Sequence, residues 1–256
     1  MKLTEKVLNS KFVERFRRFL GTRSGIYLKL KRLTPSTSDE MRNAAILNHL
    51  GIKYVIDVGA NTGQFAESLF DFGYKGKVIS FEPVAACYDG LIKRAKNNEN
   101  HIVADRAAIG DVDGEIIINV SDDSVFSSIL KIKDEHTKIR PKSRIVKEEK
   151  VNIYRLDSII DKYIPKDETS IMLKIDTQGF EKNVLDGAQE SIKRLSGIKI
   201  EIPLVPIYND TKFTFFEIID FMKTNNFVPF NFNTEGVNLV TGRVFTIDGT
   251  FFKSQL

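Results

Sequence analysis

The chain has very few of the residues that build disulfides and zinc sites. Its 256 residues include one cysteine, Cys87, three histidines and no tryptophan. A single cysteine excludes an internal disulfide, and the histidines at 49, 101 and 136 lie far apart in the sequence. We therefore expect a domain that folds by burying apolar surface in a reducing compartment, for which the cytoplasm is the simplest location.

Long hydrophobic runs are absent too. No stretch approaches the roughly 20 apolar residues that a membrane-spanning helix needs. Charges at Glu5, Lys6, Lys11 and Glu14 interrupt the segment where a signal peptide needs its apolar core. The hydrophobic fraction of 42% and the charged fraction of 28% are ordinary for a globular domain, and the length fits one α/β domain with a short extension.

Positive charge is concentrated in two segments of the chain. The formal net charge is only +4, but residues 2–42 contain eleven basic and four acidic residues, and a second basic cluster covers residues 131–150. Residues 4–20 carry apolar side chains at helical spacing, which predicts an amphipathic helix. We expect this helix to pack on the main domain or on a second subunit. The alternative is contact with an anionic membrane surface.

Apolar runs of strand length alternate with helical segments from residue 51 onward. A helix is predicted over residues 39–49, so we divide the chain into an N-terminal helical extension over 1–50 and a main domain over 51–256. Strands are predicted over 53–58, 77–81, 101–109, 171–175 and 197–202, and helices over 64–72, 83–97, 180–194 and 213–225. This βαβ rhythm is typical of a doubly wound parallel sheet.

The remaining segments predict smaller elements. DVDG at 111–114 is predicted as a turn between strands, with the following GEIIINV as an antiparallel partner. Charged residues without clear periodicity at 121–144 indicate a long loop or a lid-like insertion. A strand over 145–154, a short helix over 156–163 and antiparallel strands from residue 227 onward complete the prediction.

The segment DVGANTG at 57–63 lies between a predicted strand and a predicted helix. Gly59 and Gly63 allow a tight turn and a close approach of a ligand, and Asn61 tolerates left-handed backbone angles. The helix N-terminus behind the turn offers N–H groups to a carboxylate or a phosphate. Glu82, after the second strand, is where a Rossmann-type site has the carboxylate that accepts the ribose hydroxyls. Together these features predict a nucleoside-binding site.

The charge of this turn favours S-adenosylmethionine over NAD as the cofactor. The turn does not match G-x-G-x-x-G, the usual dinucleotide pattern. Asp57 brings a carboxylate to the start of the turn, where it would repel a pyrophosphate but suit the α-amino group of an amino acid. S-adenosylmethionine carries such a group together with a ribose. We predict that it is bound by Asp57, Gly59, Ala60, Asn61, Gly63 and Glu82.

Five motifs, in this order, resemble the FkbM family of methyltransferases. They are DVGANTG at 57–63, FEP at 81–83, SSIL at 127–130, LDS at 156–158 and KIDTQGFE at 174–181. The resemblance covers residues 54–206 and implies a Rossmann-like, doubly wound, mostly parallel seven-stranded sheet with an antiparallel C-terminal strand pair. It also implies methyl transfer to oxygen. Substrates in the family are often sugars, glycolipid-type saccharides or polyketide-like natural products, so the resemblance implies a small-molecule or carbohydrate acceptor.

Carboxylates at the ends of the fourth and fifth core strands are the candidate catalytic groups. Asp176 follows the fourth strand, where an open α/β sheet binds its ligands, and we predict it as the base or orienting group for an acceptor hydroxyl. The alternative is a cap of the helix near residue 179. Glu201, inside the fifth strand, either faces the same crevice or pairs with Lys174 or Lys199. For Lys174 we expect a buried stem and a solvated ammonium.

Two further positions, Ser128 and Ala107, complete the predicted site. We predict that Ser128 of the SSIL motif and Ala107 after the third strand contact the cofactor, with Ala107 beside the adenine. The family usually has a glutamate where this chain has Gln178, so no role that needs a carboxylate there carries over. We predict no metal. The alternative is a divalent-cation site at Asp176 and Glu181, since magnesium prefers oxygen ligands.

Three other functions compete with the methylation of a small molecule. An NAD-dependent sugar-modifying enzyme is disfavoured by the sequence of the turn at 57–63. A nucleic-acid methyltransferase or binding module would use the basic segments 2–42 and 131–150. Against it, the fourth strand ends in IDTQGF and not in the (D/N)PP(Y/F) segment that base amino-methylation uses. Salt-sensitive binding of RNA or DNA would identify this function. A non-catalytic interaction domain would keep the fold and fail to bind the cofactor.

Overall fold

The computed structural model describes residues 33–122, 128–129, 144–205, 213–238 and 240–254. The predicted helix over 4–20 and most of the predicted insertion over 121–144 lie outside these residues. Among the helices of the described ranges, none is both long enough and apolar enough to cross a membrane.

The elements are numbered in chain order. The strands are β1 Tyr54–Val58, β2 Lys77–Phe81, β3 His101–Val103, β4 Ala107–Gly110, β5 Gly114–Ser121, β6 Ile145–Arg155, β7 Ile171–Ile175, β8 Leu195–Pro203, β9 Phe227–Val237 and β10 Val244–Lys253. The α-helices are α1 Asp39–His49, α2 Gln64–Asp71, α3 Ala85–Ala95, α4 Leu156–Ile159, α5 Glu181–Asp186 and α6 Phe215–Thr224. Short 3-10 helices follow α4 and α5, at Ile160–Lys162 and Ser191–Arg194.

Seven strands form one large sheet in the order β3-β2-β1-β7-β8-β10-β9. β1 pairs in parallel with β2 and β7, β2 pairs in parallel with β3, and β7 pairs in parallel with β8. β10 runs antiparallel to both β8 and β9. This arrangement confirms the predicted mostly parallel, doubly wound sheet with antiparallel C-terminal strands.

The strand order reverses between β1 and β7. From β1 the chain adds β2 and β3 on one side, and it later adds β7 and β8 on the other. Val58, the last residue of β1, pairs with Phe81 and with Ile175, so the segments after these three strands leave the sheet at the same edge. Open α/β sheets bind their ligands in the crevice at such a switch point, outside the carboxyl ends of the strands.

A second, three-stranded sheet contradicts two of the sequence predictions. The single strand predicted over 101–109 is split, because β3 stays in the large sheet while β4 joins a sheet of order β4-β6-β5. Arg106, just before β4, bonds Glu149 of β6 at 2.9 Å, which helps to hold β4 beside its different partner. The strand after the 111–114 turn, β5, pairs antiparallel with β6 and not with β4.

The helix predicted over 180–194 is also interrupted. α5 ends at Asp186, and the 3-10 helix Ser191–Arg194 follows after a break. The backbone of β4 passes close to the break, since a Cβ at Gly187 would lie 1.7 Å from the carbonyl oxygen of Gly110. This close contact requires a glycine and leaves no room for the side chain of another residue.

Apolar side chains cover both faces of the large sheet. One face packs on α5 and α6, with a core that includes Ile56, Leu173, Val184 and Ile218. The other face packs on α1 and α2, with a core that includes Ala44, Leu47, Val55 and Leu69. The predicted helix over 39–49 is therefore confirmed and lies against the sheet. Burial of these side chains fixes the ends of β1 and β7, from which the candidate site is built.

Candidate active site

The segment after β1 forms a tight turn with left-handed backbone angles. The angle φ is 79° at Gly59, 50° at Asn61 and 88° at Gly63. Glycine adopts such angles at little cost, and asparagine is among the few other residues that tolerate them. The N–H groups of Gly59 and Ala60 both donate to the carbonyl oxygen of Phe81, at 3.1 and 3.0 Å. The turn is therefore tied to the end of β2.

The segment after β7 presses against Gly59, where a Cβ would lie 2.0 Å from the carbonyl oxygen of Asp176. We expect Gly59→Ala to displace this segment and to lower the free energy of unfolding by about 3 kcal/mol or more. Gly73→Ala is the matched control, because φ is 82° there and nothing lies within 4 Å of the added Cβ. Its expected cost is the strain alone, about 1 kcal/mol. Chemical denaturation measures both losses, and equal losses would contradict the contact.

Glu82 lies just after β2 and is only 5% exposed. Its Oε2 accepts a hydrogen bond from the N–H of Asn61 at 2.7 Å, and its Oε1 accepts one from the N–H of Val84 at 2.8 Å. Burial raises the pKa of Glu82 to about 7, although the two hydrogen bonds counteract part of the shift. Each carboxylate oxygen has a further lone pair, so Glu82 can also accept hydrogen bonds from a ligand.

Asp57 forms a buried ion pair. Its Oδ1 accepts a hydrogen bond from Nζ of Lys174 at 2.9 Å, and the side chains of Lys174 and Asp57 are 9% and 0% exposed. Burial by itself lowers the pKa of the Lys174 ammonium. The negative charges of Asp57 and Asp176 outweigh this effect, so the pKa is raised. The expectation that this ammonium is solvated is therefore wrong. Within the described ranges, Oδ2 of Asp57 is buried and has no hydrogen-bond partner.

A cavity of about 690 Å³ lies at the carboxyl ends of the central strands. Its size is typical of small-molecule sites, which span about 300–1,000 Å³. Eight of the ten predicted site residues line it, namely Gly59, Ala60, Asn61, Glu82, Ala107, Ser128, Asp176 and Glu201. Asp57 and Gly63 are not among the lining residues. Gly63 instead packs on Leu91, whose Cδ1 would lie 2.8 Å from a Cβ at this position.

Gln178 joins the two candidate catalytic carboxylates. Its side-chain nitrogen Nε2 donates to Oδ1 of Asp176 at 2.9 Å and to Oε2 of Glu201 at 3.0 Å. Burial, and then the negative charge of Asp176, raise the pKa of Glu201 well above its ordinary value. Lys174 and Lys199 pair with other carboxylates, so the ion pair considered for Glu201 does not form. Glu201 faces the cavity instead.

The helix cap considered for Asp176 does not form, because α5 has no side-chain cap, and the side chain of Glu181 instead binds the loop before α5. Its Oε1 accepts hydrogen bonds from the N–H of Thr177 at 3.2 Å, from the hydroxyl of Thr177 at 3.2 Å and from the N–H of Gly179 at 3.0 Å. Oε1 of Glu181 therefore has three donors, and the divalent-cation site considered for Asp176 and Glu181 stays an untested alternative. No group of three or more His, Cys, Asp or Glu side chains in the described part of the chain is placed to hold a metal ion.

Comparison with protein families identifies the family of the chain. The model of the Methyltransferase FkbM domain matches residues 57–229, which is 173 of the 256 residues. The chain belongs to the FkbM methyltransferase family. It is an S-adenosylmethionine-dependent methyltransferase, as the resemblance of its motifs predicted. No curated protein matches the chain at a significant level.

Several solved methyltransferases are similar to the chain at low sequence identity. TehB from Haemophilus influenzae is 12% identical, with a TM-score of 0.45 over 93% of this chain and 67% of that one. Precorrin-6y C5,15-methyltransferase from Geobacter metallireducens is 11% identical, with a TM-score of 0.42 over 83% and 88%. The 1,6-didemethyltoxoflavin-N1-methyltransferase from Burkholderia thailandensis, solved with S-adenosylhomocysteine, is 14% identical, with a TM-score of 0.41 over 84% and 78%. The likeness concerns the fold alone.

The cavity of this methyltransferase fits the chemical groups of S-adenosylmethionine. One part of its wall is apolar and suits an adenine ring, with Val84, Ala107, Ala108, Ile118 and Phe180. Glu82 lies at the end of the adjacent strand β2, where a carboxylate accepts ribose hydroxyls. Gly63 leaves the N-terminus of α2 without a side-chain cap, which suits the carboxylate of the methionine part. The individual contacts stay predictions.

The raised pKa of Glu82 makes cofactor binding depend on pH. Ribose hydroxyls donate to a carboxylate, so binding favours the ionised form of Glu82. Because the pKa in the free protein is about 7, the affinity for S-adenosylhomocysteine should rise with pH up to about 7 and then level off. Well below that pH, it should fall about tenfold per unit. Calorimetric titration at several pH values measures this slope. Glu82→Gln cannot ionise, and a slope that persists in this variant would contradict the assignment.

The part of the cavity that α1 and the C-terminal strands supply was not predicted from the sequence. These lining residues are Asp39, Glu40 and Asn43 of α1, Asn233 and Glu235 of β9, and Thr246 and Asp248 of β10. Because β10 runs antiparallel to β8, its first half lies at the cavity. The polar residues inside these strands were the sequence signal for this part of the cavity. Such residues are equally expected in an edge strand with one face exposed to solvent, so they did not identify a cavity wall.

Proposed function

We propose that the chain transfers the methyl group of S-adenosylmethionine to a hydroxyl oxygen of a saccharide, a glycolipid-type saccharide or a related small molecule. The position of Asp176 carries this proposal. Its main chain touches the turn at Gly59, its side chain is 42% exposed and lines the cavity, and Gln178 donates a hydrogen bond to it. A carboxylate beside the cofactor turn can take a proton from a bound hydroxyl group.

An alcohol needs such a base because its oxygen must lose a proton when it gains the methyl group. S-adenosylmethionine supplies the electrophilic methyl group when it is bound. The residues of this chain hold the acceptor in place, exclude water and accept the proton at a carboxylate oxygen of Asp176. Glu201, fixed by the same amide of Gln178, is suited to bind a second hydroxyl group of the acceptor.

The charge of the cavity wall supports a neutral, hydroxyl-rich acceptor. Among the described lining residues there are two lysines, Lys174 and Lys199, and both pair with carboxylates. Seven carboxylate side chains also line the cavity, namely Asp39, Glu40, Glu82, Asp176, Glu201, Glu235 and Asp248. The pKa values of Glu82, Glu201 and Glu235 are raised, so these three carry only part of their negative charge, but the remaining four carboxylates still outnumber the two lysines. The resulting excess of negative charge repels phosphate groups, whereas hydroxyl groups donate hydrogen bonds to carboxylates. This charge pattern favours a saccharide over a nucleic acid.

The nucleic-acid alternative depends on basic segments that lie largely outside the described residues. In the part of 131–150 that is described, Lys147 pairs with Glu149 and Lys150 pairs with Glu115. These lysines are therefore already partly neutralised. We expect no more than weak binding of RNA or DNA, with an affinity that falls steeply as the salt concentration rises.

Location and membrane contact are part of the same proposal. We propose that the enzyme works in the cytoplasm, and the presence of a single cysteine, Cys87, fits a reducing compartment. Contact of the predicted helix over 4–20 with a membrane surface stays a prediction, because that helix lies outside the described residues. Such contact would bring the enzyme close to a glycolipid acceptor.

Methylation of an acceptor panel tests the proposed reaction. Purified protein is incubated with methyl-labelled S-adenosylmethionine and with neutral saccharides, glycolipid-type saccharides, uronic acids, RNA or DNA. Mass spectrometry of the products is expected to locate the label in a methyl ether of a neutral saccharide. Label on a nitrogen atom, or label in nucleic acid in preference to every saccharide, would contradict the proposal.

A further inference from the structure

Gln178 has a backbone conformation that its side chain does not favour. Its φ is 55°, and the other non-glycine residues with positive φ in the described ranges are Asn61 and Asn226, a residue type that tolerates such angles. Outliers of this kind persist where the surroundings hold them and where they serve the site. The main-chain oxygen of Gln178 accepts a hydrogen bond from the hydroxyl of Ser128 at 2.7 Å, which helps to hold the strained loop.

The side chain of Gln178 ends between two carboxylates on the cavity wall. An amide nitrogen carries two hydrogens, and Nε2 donates to Asp176 at 2.9 Å and to Glu201 at 3.0 Å. A divalent cation bridges carboxylates in the same way, by neutralising and orienting them. Oε1 of Glu181, the first residue of α5, is instead held by the N–H groups of Thr177 and Gly179 in the loop before the helix.

We propose that Gln178 is a positioning residue that holds Asp176 and Glu201 where a divalent cation would otherwise bridge them, so that methyl transfer proceeds without a metal. The proposal rests on the proposed function, because Asp176 is the group being positioned. The amide keeps one oxygen of each carboxylate fixed. The other oxygen of Asp176, Oδ2, lies 3.5 Å from Nζ of Lys174 and is the one that accepts the proton. A carboxylate at position 178 would instead complete a set of three oxygen ligands.

Titration with Mn²⁺ in the absence of any acceptor tests the bridge. Wild-type protein is expected to bind Mn²⁺ no better than Gln189→Glu, a matched control that adds one carboxylate outside the cavity. Gln178→Glu is expected to bind Mn²⁺ at least about tenfold more tightly than either, because the third carboxylate adds charge and a ligand. If a folded Gln178→Glu protein binds Mn²⁺ no more tightly than wild type, the proposal is overturned.

A second variant decides the matter if Gln178→Glu does not fold. In Gln178→Ala the donor is lost, so the pKa of Glu201 followed by carboxyl-carbon NMR is expected to rise above its wild-type value. A residue that only supports the loop would leave this pKa unchanged, and that result would overturn the proposal.

A metal chelator should leave the methylation rate of the wild-type protein unchanged. Loss of activity with the chelator would also overturn the proposal. If Asp176 proves dispensable while the Mn²⁺ and NMR results hold, the proposed function fails and the bridge stands.

Discussion

Asp176→Asn is expected to lower the turnover of methyl transfer by about 10²–10⁴-fold, the range of a lost general base. Asparagine has nearly the same size, and its carbonyl oxygen can still accept the hydrogen bond that Nε2 of Gln178 donates at 2.9 Å. The shape of the loop should therefore survive while the proton acceptor is lost. The affinity for S-adenosylhomocysteine should stay within about twofold of wild type, because no cofactor contact is removed. Steady-state kinetics and calorimetry measure the two quantities.

Asp186→Asn is the matched control for this experiment. Asp186 on α5 is 43% exposed, against 42% for Asp176, and it pairs with Lys182 on the surface away from the cavity. Its replacement should leave turnover unchanged. Wild-type turnover in Asp176→Asn would remove Asp176 from catalysis. Parallel losses of turnover and cofactor affinity would show that Asp176 supports the cofactor turn instead.

Asp57→Ala is expected to lower the free energy of unfolding by about 3–5 kcal/mol, the cost of breaking a buried ion pair from one side. The variant leaves the ammonium of Lys174, whose side chain is 9% exposed, without its partner at 2.9 Å. Oδ2 of Asp176 lies 3.5 Å from Nζ of Lys174 and still balances part of the ammonium charge in the variant. We therefore expect a loss at the lower end of this range. Because Asp57 does not line the cavity, loss of cofactor affinity should follow mainly from the disturbed ends of β1 and β7.

Asp105→Ala is the matched control for the ion pair. Asp105 pairs with Lys162 at 2.6 Å, but the side chains of Lys162 and Asp105 are 56% and 78% exposed. Exposed pairs contribute at most about 1 kcal/mol, so chemical denaturation should show a small change. A loss in Asp57→Ala no larger than in Asp105→Ala would show that the Lys174–Asp57 pair does not stabilise the fold.

The parts of the fold that were predicted from the sequence depend on local signals. The strand predicted over 53–58 and the helix predicted over 64–72 are observed as Tyr54–Val58 and Gln64–Asp71. Short apolar runs and glycines mark their ends, and the turn between them has the left-handed angles that its residue types predicted. Eight of ten predicted site residues share one cavity because the loops after parallel strands leave the sheet at one edge.

The parts that were not predicted depend on contacts between distant segments. The strand predicted over 101–109 splits because β4 pairs with β6, more than forty residues later, which no local pattern reveals. The solvated ammonium expected for Lys174 was wrong because Asp57 stands beside it in the β1–β7 register, known only once the strand order is known. Glu235 and Asp248 were missed for the same reason, since the direction of β10 decides which of its ends reaches the cavity.

Calorimetric titration of the purified protein with S-adenosylhomocysteine, with NAD as a parallel control, tests the central claim most directly. A site built from the turn after β1 and from Glu82 is expected to bind S-adenosylhomocysteine with a dissociation constant in the micromolar range and NAD not at all. Failure of a demonstrably folded protein to bind S-adenosylhomocysteine, or equal binding of NAD, would contradict the account.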